Sequence, residues 1–117
     1  MPTGDNFFHE SSAYSQFADL SSYTQVRILV NRQGGSGSAN AKLVARYSTN
    51  YSTTVGSFSN IGTSEVSVNI NSNNTFVASS WINLANAAKT NVYLAIVGTG
   101  ASGNPDPVFG AVVLEFK

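Results

Sequence analysis

The side chains that could do acid–base or metal chemistry are few and lie far apart in the chain. The single histidine, His9, stands next to Glu10, and there is no cysteine. A transition-metal site built on this pair would lack further nitrogen or sulfur ligands. A serine hydrolase would have to recruit the same histidine, and no serine lies in a Gly-x-Ser-x-Gly sequence. We therefore interpret His9 as a surface or interface residue and expect no metal site there.

The carboxylates do not suggest a hydrolase. Only Glu65 and Glu115 fall on predicted strands, on faces that should point to solvent. Solvation keeps such groups ionised, whereas glycoside hydrolysis needs one carboxyl group with a raised pKa. The glycines of residues 98–103 are not followed by Gly-Lys-Ser or Gly-Lys-Thr, so no phosphate loop is expected. The sequence predicts a protein that is not an enzyme and needs no cofactor.

The most distinctive local sequence is GTGASGNPDPVFG, residues 98–110. Two prolines flank Asp106 and restrict the backbone on both sides of it. One interpretation is a rigid connection between sheets, in which Asp106 accepts hydrogen bonds from backbone amides. The alternative is a recognition loop, or a calcium site with oxygen ligands from Asn104 and Asp106, which would need further carboxylates from elsewhere.

Alternation of apolar and polar residues organises most of the chain into strands. It is clearest in five segments, residues 24–31, 42–49, 65–70, 91–97 and 111–117. The last two are predicted to be central strands, because their second faces are also largely apolar. Shorter strands are expected at residues 53–58 and 76–82, the latter followed by a single turn. The glycine-rich residues 34–37 predict a mobile hairpin tip.

This pattern predicts an all-β domain, an antiparallel β-sandwich of jelly-roll type with six to eight strands over residues 23–117. Residues 1–22 have no steady period and are predicted to form an irregular, aromatic N-terminal arm. Its rings could cover the core of the domain, or they could dock on another subunit. The candidate docking residues are Phe7, Phe8, Tyr14 and Phe17.

Charge is scarce on this chain. Only 10% of the residues are charged, six basic against six acidic, while serine, threonine and asparagine make up 39 of 117. No basic footprint for nucleic acid is present, and no apolar run approaches the roughly 20 residues of a membrane span. We therefore expect neither nucleic acid nor membrane as a partner. A neutral surface rich in hydroxyl and amide groups suits a protein that is packed against neighbours.

Three stretches carry a resemblance to a known group. They are W-I-N-L-A-(x)4-T-N-V-Y-L-A-I-V-G-(x)7-D-P-V-F-G-(x)4-E-F over residues 81–116, T-Q-V-R-I-L-V-N over 24–31 and K-L-V-A-R-Y-S-T over 42–49. This pattern resembles small β-sandwich proteins of tailed bacteriophages and prophage-like regions. Such proteins are virion structural proteins of the decoration, fibre or tail-accessory kind. The shared motifs concern packing and turns, so the resemblance implies no catalytic residues, and it does not include the N-terminal arm.

The first functional hypothesis is a non-enzymatic virion component, namely a capsid decoration or cement protein. It would dock on the major capsid protein or on other virion subunits through the rings of the arm, with residues 34–37 facing outward. It would form a homo-oligomer, for which a trimer suits the rotational axes of a capsid. Its location would be the virion, assembled in the host cytoplasm.

The alternative hypothesis is a carbohydrate-binding or receptor-binding module. In that case Trp81, Tyr47 and Tyr51 would stack on sugar rings, while asparagine and serine side chains would bond to sugar hydroxyls. A third hypothesis is a tail or baseplate accessory subunit, which the sequence does not distinguish from a capsid subunit.

Overall fold

The computed structural model describes residues 6–10, 18–34, 40–52, 54–70, 75–102 and 108–117. Its regular elements are nine β-strands and two single 3₁₀ turns, Val55–Ser57 and Asn86–Ala88. The strands are β1 (Asn6–Glu10), β2 (Gln25–Gly34), β3 (Asn40–Ser48), β4 (Ser59–Asn60), β5 (Ser67–Ile70), β6 (Thr75–Ala78), β7 (Ile82–Asn83), β8 (Tyr93–Ser102) and β9 (Val108–Phe116). The predicted all-β class is confirmed. Eight of the nine strands lie within residues 23–117, for which six to eight were predicted, and two of these eight contain only two residues.

One antiparallel sheet has five strands, with β8 near its centre. β8 pairs with β1 on one side and with β3 on the other. On its other side β3 pairs with β5 over residues 41–44 and with β4 over residues 46–47. β8 buries both of its faces, Tyr93 and Val97 on one and Ile96 on the other. The prediction of a central strand is confirmed for this segment.

The second antiparallel sheet has four strands, organised on β2. β9 pairs with one side of β2, while β6 and β7 share the other side. Within the described ranges β9 pairs with no strand besides β2, so it lies at the edge of the sheet. The prediction that residues 111–117 form a central strand is therefore wrong. The pattern of apolar residues shows which faces of a strand are apolar. It does not show how many strands pair with it, so a strand with two apolar faces can lie at the edge of a sheet.

The inward faces of the two sheets share one core. On β2, Val26, Ile28 and Val30 are fully buried, as alternation predicted. Across from them lie Leu43 and Ala45 of β3, also fully buried. Each aliphatic side chain removed from water in this way contributes roughly 1.5–3 kcal/mol. These residues join the two sheets through one shared core.

A smaller cluster covers the other face of β8. Phe58 is buried against Tyr93, Ala95 and Val97, and Val55 packs beside them. The expected strand at residues 53–58 is therefore wrong: the segment bends into a 3₁₀ turn, and β4 begins only at Ser59. Residue 53 lies outside the described residues. The turn allows Phe58 to reach β8, which explains why both faces of that strand are apolar.

The irregular arm predicted for residues 1–22 is wrong for Asn6–Glu10. These residues form β1, which pairs antiparallel with β8. The register shifts between Phe7 and His9, and such a bulge interrupts the two-residue alternation by which strands are recognised. Further along, Ala18 forms a bridge with Val92. Residues 1–5 and 11–17 lie outside the described residues.

The strand expected at residues 76–82 is interrupted by Ser79. The Ser79 N–H donates to the carbonyl oxygen of Ile28 at 2.9 Å, and its Oγ accepts from the Ile28 N–H at 3.1 Å. The Ser79 hydroxyl thereby accepts the hydrogen bond of the Ile28 N–H at a point where β6 has ended and β7, which begins at Ile82, has not yet started. The single turn expected after this segment is confirmed at Asn86–Ala88.

Candidate functional site

The outward face of the four-stranded sheet carries apolar residues on three adjacent strands, with Asn31 among them. Since Ile28 and Val30 point into the core, Leu29 points outward. Directly paired residues share a face of the sheet. Leu29 therefore lies between Ala78 of β6 and Val113 of β9, and Asn31 lies between Phe76 and Ala111. The apolar members form what we call the outer patch, namely Phe76, Ala78, Leu29, Val113 and Ala111.

The outer patch is exposed at both of its sides. Phe76 on β6 has 62% of its surface accessible, and Val113 on β9 has 42%. Between them Leu29 is half-buried. An exposed phenylalanine on a rigid sheet, with aliphatic neighbours, is typical of a surface that binds another protein.

A charged group with an aromatic ring lies next to the outer patch on the same face. Arg27 Nε donates to Glu115 Oε1 at 3.0 Å. The Arg27 guanidinium lies 4.6 Å from the centre of the Trp81 ring, and Lys117 Nζ lies 4.5 Å from it. Both cations are attracted to the ring quadrupole. This group gives the outer patch a polar border at one end.

The three residues predicted to stack on sugars lie in three different places. Trp81 is half-buried on the outward face of the four-stranded sheet, with two cations over its ring. Tyr47 packs against the shared core between the sheets. Tyr51 is 58% exposed and stands edge-on to Tyr93 in the smaller cluster, with 6.0 Å between ring centres. The structure does not bring these rings together into one stacking platform.

Several predicted site residues lie where the structure gives no side chain to compare. Phe7 and Phe8 belong to β1, of which the backbone alone is described, and the same holds for His9. Tyr14 and Phe17 lie outside the described residues, as do Asn104 and Asp106. The predicted hairpin over residues 24–49 is wrong, because β2 and β3 belong to different sheets. Of its glycine-rich tip, Gly34 ends β2, and residues 35–39 lie outside the described residues. The docking role of the N-terminal rings therefore stays a prediction.

Two carboxylates have pKa values below their ordinary range. The hydrogen bond from Lys42 is the main cause for Glu65, which also accepts from Ser67 Oγ at 2.9 Å. The Ser21 backbone N–H donates to Asp19 at 3.0 Å and lowers the pKa of that carboxyl group. Lowered pKa values keep both groups ionised. In the part of the chain that the structure describes, no three acidic or histidine side chains come close enough to hold a metal ion.

The outer patch could not have been read from the sequence. Phe76 and Val113 are 37 positions apart in the chain, and they come to lie on one face of a sheet only because β6 and β9 pair with opposite sides of β2. The same applies to Trp81, whose two cations come from β2 and from Lys117. The one sequence signal for this surface is the apolar second face of residues 111–117, which predicts burial, whereas Val113 is exposed.

Among the described residues, no helix has the length and apolar character needed to cross a membrane.

Comparison with known proteins does not place the chain in a family. No family model, no curated protein and no solved structure matches this sequence.

Proposed function

We propose that the protein is a non-enzymatic virion structural protein, a capsid decoration protein that binds larger shell subunits through the outer patch. The observation that carries the proposal is the exposed Phe76 ring on the outward face of the four-stranded sheet. The viral setting rests on the resemblance of residues 24–31, 42–49 and 81–116 to phage structural proteins. The partners would be the major capsid protein or other virion subunits, and assembly would take place in the host cytoplasm.

The outer patch has the composition of a protein-binding surface. Interfaces are commonly apolar and aromatic at their centre and polar at their rim. Here Phe76, Leu29 and Val113 supply the centre, and the group around Arg27 supplies part of the rim. Binding that favours the assembled shell over its expanded or broken forms stabilises it by mass action. A non-enzymatic role in adhesion requires only such an apolar centre and polar rim on this face.

We also propose that the two sheets form a sandwich of jelly-roll type. β2 pairs with β9 in one sheet, and β3 pairs with β8 in the other. These two pairs are nested in chain order, as in a long hairpin that is wrapped across two sheets. The chain crosses between the sheets again from β5 to β6. Nested pairs that alternate between two facing sheets are typical of jelly rolls.

The N-terminal rings supply a second proposed contact. Phe7 and Phe8 belong to a strand that pairs with β8, so removal of residues 1–17 would also uncover the centre of the five-stranded sheet. Deletion is therefore a poor test of docking. Substituting Tyr14 and Phe17 by serine leaves β1 in place, and reduced particle binding would support a contact by these rings.

The test of the outer patch is co-sedimentation with shells assembled from the major capsid protein encoded by the same genome. Phe76→Ser should weaken binding roughly tenfold or more, as expected for loss of an aromatic anchor. Its melting temperature should hardly change, since the ring is already 62% exposed. Tyr51→Ser is the matched control, because this ring is 58% exposed on another surface. Equal binding by both variants, or no binding by the wild type, would overturn the proposal.

The other hypotheses give different results with the same protein. Sugar binding on a glycan array that is lost in Trp81→Ala would favour a carbohydrate-binding module. That outcome would require a sugar to displace Arg27 or Lys117 from the Trp81 ring. Sedimentation with tails rather than with capsid shells would favour the tail or baseplate subunit.

A further inference from the structure

The free edge of β9 has hydrogen-bonding groups without a described partner strand. The Lys117 N–H donates to the Gln25 oxygen at 3.0 Å, and the Gln25 N–H donates to the Lys117 oxygen at 2.8 Å. Since this direction alternates along an antiparallel strand, Val113 and Glu115 also point their backbone groups at β2. The residues between them, Val112 and Leu114 with Phe116, point theirs away from β2.

The neighbouring strand shows the same parity. Ile28 pairs with Leu114 in the register of β2 and β9. Its backbone N–H and C=O both bond to Ser79, on the opposite side of β2. Ile28 therefore makes no ladder bond to Leu114. The N–H and C=O of Leu114 consequently face the outer edge of the sheet.

The side chains at this edge are also incompletely covered. Val112, Leu114 and Phe116 pack against the shared core but are only half-buried, whereas their partners on β2 are fully buried. Tyr23 packs on the Phe116 ring, with 5.6 Å between ring centres. The uncovered part of the edge is therefore centred on Val112 and Leu114.

Residues 111–116 of this edge have none of the features that usually prevent strand pairing, since the register shifts between β9 and β2 fall before Ala111. Proline, lysine and bulges protect exposed edges. Residues 111–116 contain neither proline nor lysine and pair with β2 without a register shift. The one charge, on Glu115, is bonded to Arg27 within the same sheet. By contrast, β1 has a bulge, and the β6 and β7 side is interrupted at Ser79.

We propose that β9 pairs antiparallel with β9 of a second copy of this chain, about a two-fold axis at Val113. The two four-stranded sheets then become one eight-stranded sheet. Only residues with outward backbone groups can exchange hydrogen bonds, so Val112 of one copy bonds Leu114 of the other, and the reverse. A two-fold pairing is closed, which limits the assembly to two copies. The expected homo-oligomer is then a dimer rather than a trimer.

The charges and side chains of β9 fit a second copy in this register. Glu115 lies opposite Ala111 of the second copy, so no two carboxylates face each other. Val112 and Leu114 lie opposite each other on the inner face and cover apolar surface that a single copy leaves half-exposed. A register centred on Glu115 would place two carboxylates in contact and leave fewer hydrogen bonds, so it is disfavoured.

The dimer also joins the two outer patches. Val113 of each copy meets its equivalent at the axis, as a pair without hydrogen bonds, in which side chains lie closest. The joined surface presents Phe76 twice on one continuous sheet, and two linked sites bind a repetitive shell more tightly than one. The pairing itself requires no shell and stands independently of the proposed function.

Analytical ultracentrifugation of the purified chain, from low micromolar to near-millimolar concentration, tests the pairing. The wild type should show a monomer–dimer equilibrium. Val113→Lys and Val113→Glu each place like charges at the axis and should weaken dimerisation roughly tenfold or more. Val113 is 42% exposed, so both variants should fold. An equimolar mixture of the two should recover the dimer, because unlike charges then meet.

Three outcomes would overturn the pairing. They are a wild type that stays monomeric at every concentration, single variants that dimerise like the wild type, and a mixture that fails to recover the dimer. Phe76→Ser should leave dimerisation unchanged, since Phe76 lies on the far side of β2 from β9. Loss of shell binding with an intact dimer thus reports on the outer patch alone.

Amide hydrogen exchange gives a second readout that does not depend on a variant. The amides of Val113 and Glu115 should be protected at every concentration, because they bond to β2. The amides of Val112 and Leu114 should gain protection only as the dimer forms. A dimer in which these two amides still exchange freely uses another surface and would contradict the proposed pairing.

Discussion

The structure makes Gly62 a position where one methyl group should be costly. Gly62 is buried and forms a bridge with Leu84, where the chain after β4 crosses the end of β7. A Cβ atom at this position would lie 2.6 Å from Ile82 Cγ2, 2.8 Å from the Ser64 carbonyl oxygen and 2.9 Å from Val66 Cγ2. All three distances are shorter than van der Waals contact. The substitution Gly62→Ala therefore requires the chain to move.

The size of the expected loss of stability depends on which of the three contacting groups can move. The Ile82 side chain can change rotamer, but Val66 is fully buried, and the Ser64 oxygen belongs to the backbone. Inserting a methyl group into such a site costs about 1–3 kcal/mol. For a domain of this size, each kcal/mol lowers the melting temperature by about 3–6 °C. We expect Gly62→Ala to melt about 3–18 °C below the wild type.

Gly56→Ala is the matched control for this experiment. A Cβ atom at Gly56 would have no heavy atom within 4 Å, so alanine should be neutral or slightly stabilising there. Both variants are compared by thermal and urea unfolding followed by circular dichroism. Truncating Ile82 in the Gly62→Ala background should restore only part of the loss, because the Ser64 contact remains. Equal stability of the two alanine variants would refute the close packing at Gly62.

Three further predictions concern single contacts. Phe58→Ala should destabilise the protein by about 3–5 kcal/mol in urea unfolding, because the buried ring holds the smaller cluster on β8; a loss under about 1 kcal/mol would mean that the cluster is not needed. Lys42 lowers the pKa of Glu65 from its ordinary 4.5, so this pair stabilises the fold above that pH and loses its effect as the pH falls through the lowered pKa. Glu65→Gln should therefore reduce the loss of stability seen between neutral pH and pH 3, and an unchanged pH profile would count against the pair. A double-mutant cycle on Arg27 and Glu115 should give a coupling below about 1 kcal/mol that decreases with added salt, since both side chains are about one-third exposed; a larger coupling insensitive to salt would contradict this.

Alternation predicted the strands whose partners lie on both sides. The inward residues of β2 and β3 were identified correctly, and so was the double burial of β8. In β2 and β3 one face meets the shared core, so apolar residues recur at every second position, whereas β8 is covered on both faces and is apolar throughout residues 93–97. The same rule failed for β9, whose second face is apolar without a covering layer. Val113 is exposed there, although its sequence context resembles that of Ala95 in β8.

Other differences have local causes that alternation does not record. The bulge between Phe7 and His9 interrupts the alternation of β1, so the sequence pattern of residues 6–10 does not predict a strand. At Val55–Ser57 the chain turns so that Phe58 reaches β8. The candidate surface was harder to predict, because it joins residues from β2, β6 and β9. Their proximity follows from strand order in the sheet, which a single sequence does not specify.

The pairing of β2 with β9 also bears on how the chain folds. Arg27 and Glu115 are 88 positions apart, yet their strands are adjacent. During synthesis, one side of β2 has no partner until residues 108–116 have left the ribosome. Non-local sheets of this kind reach the native state in milliseconds to seconds rather than microseconds. The nascent chain therefore holds Val26, Ile28 and Val30 in incomplete surroundings through most of translation, and its yield in cells should depend on growth temperature and on chaperones.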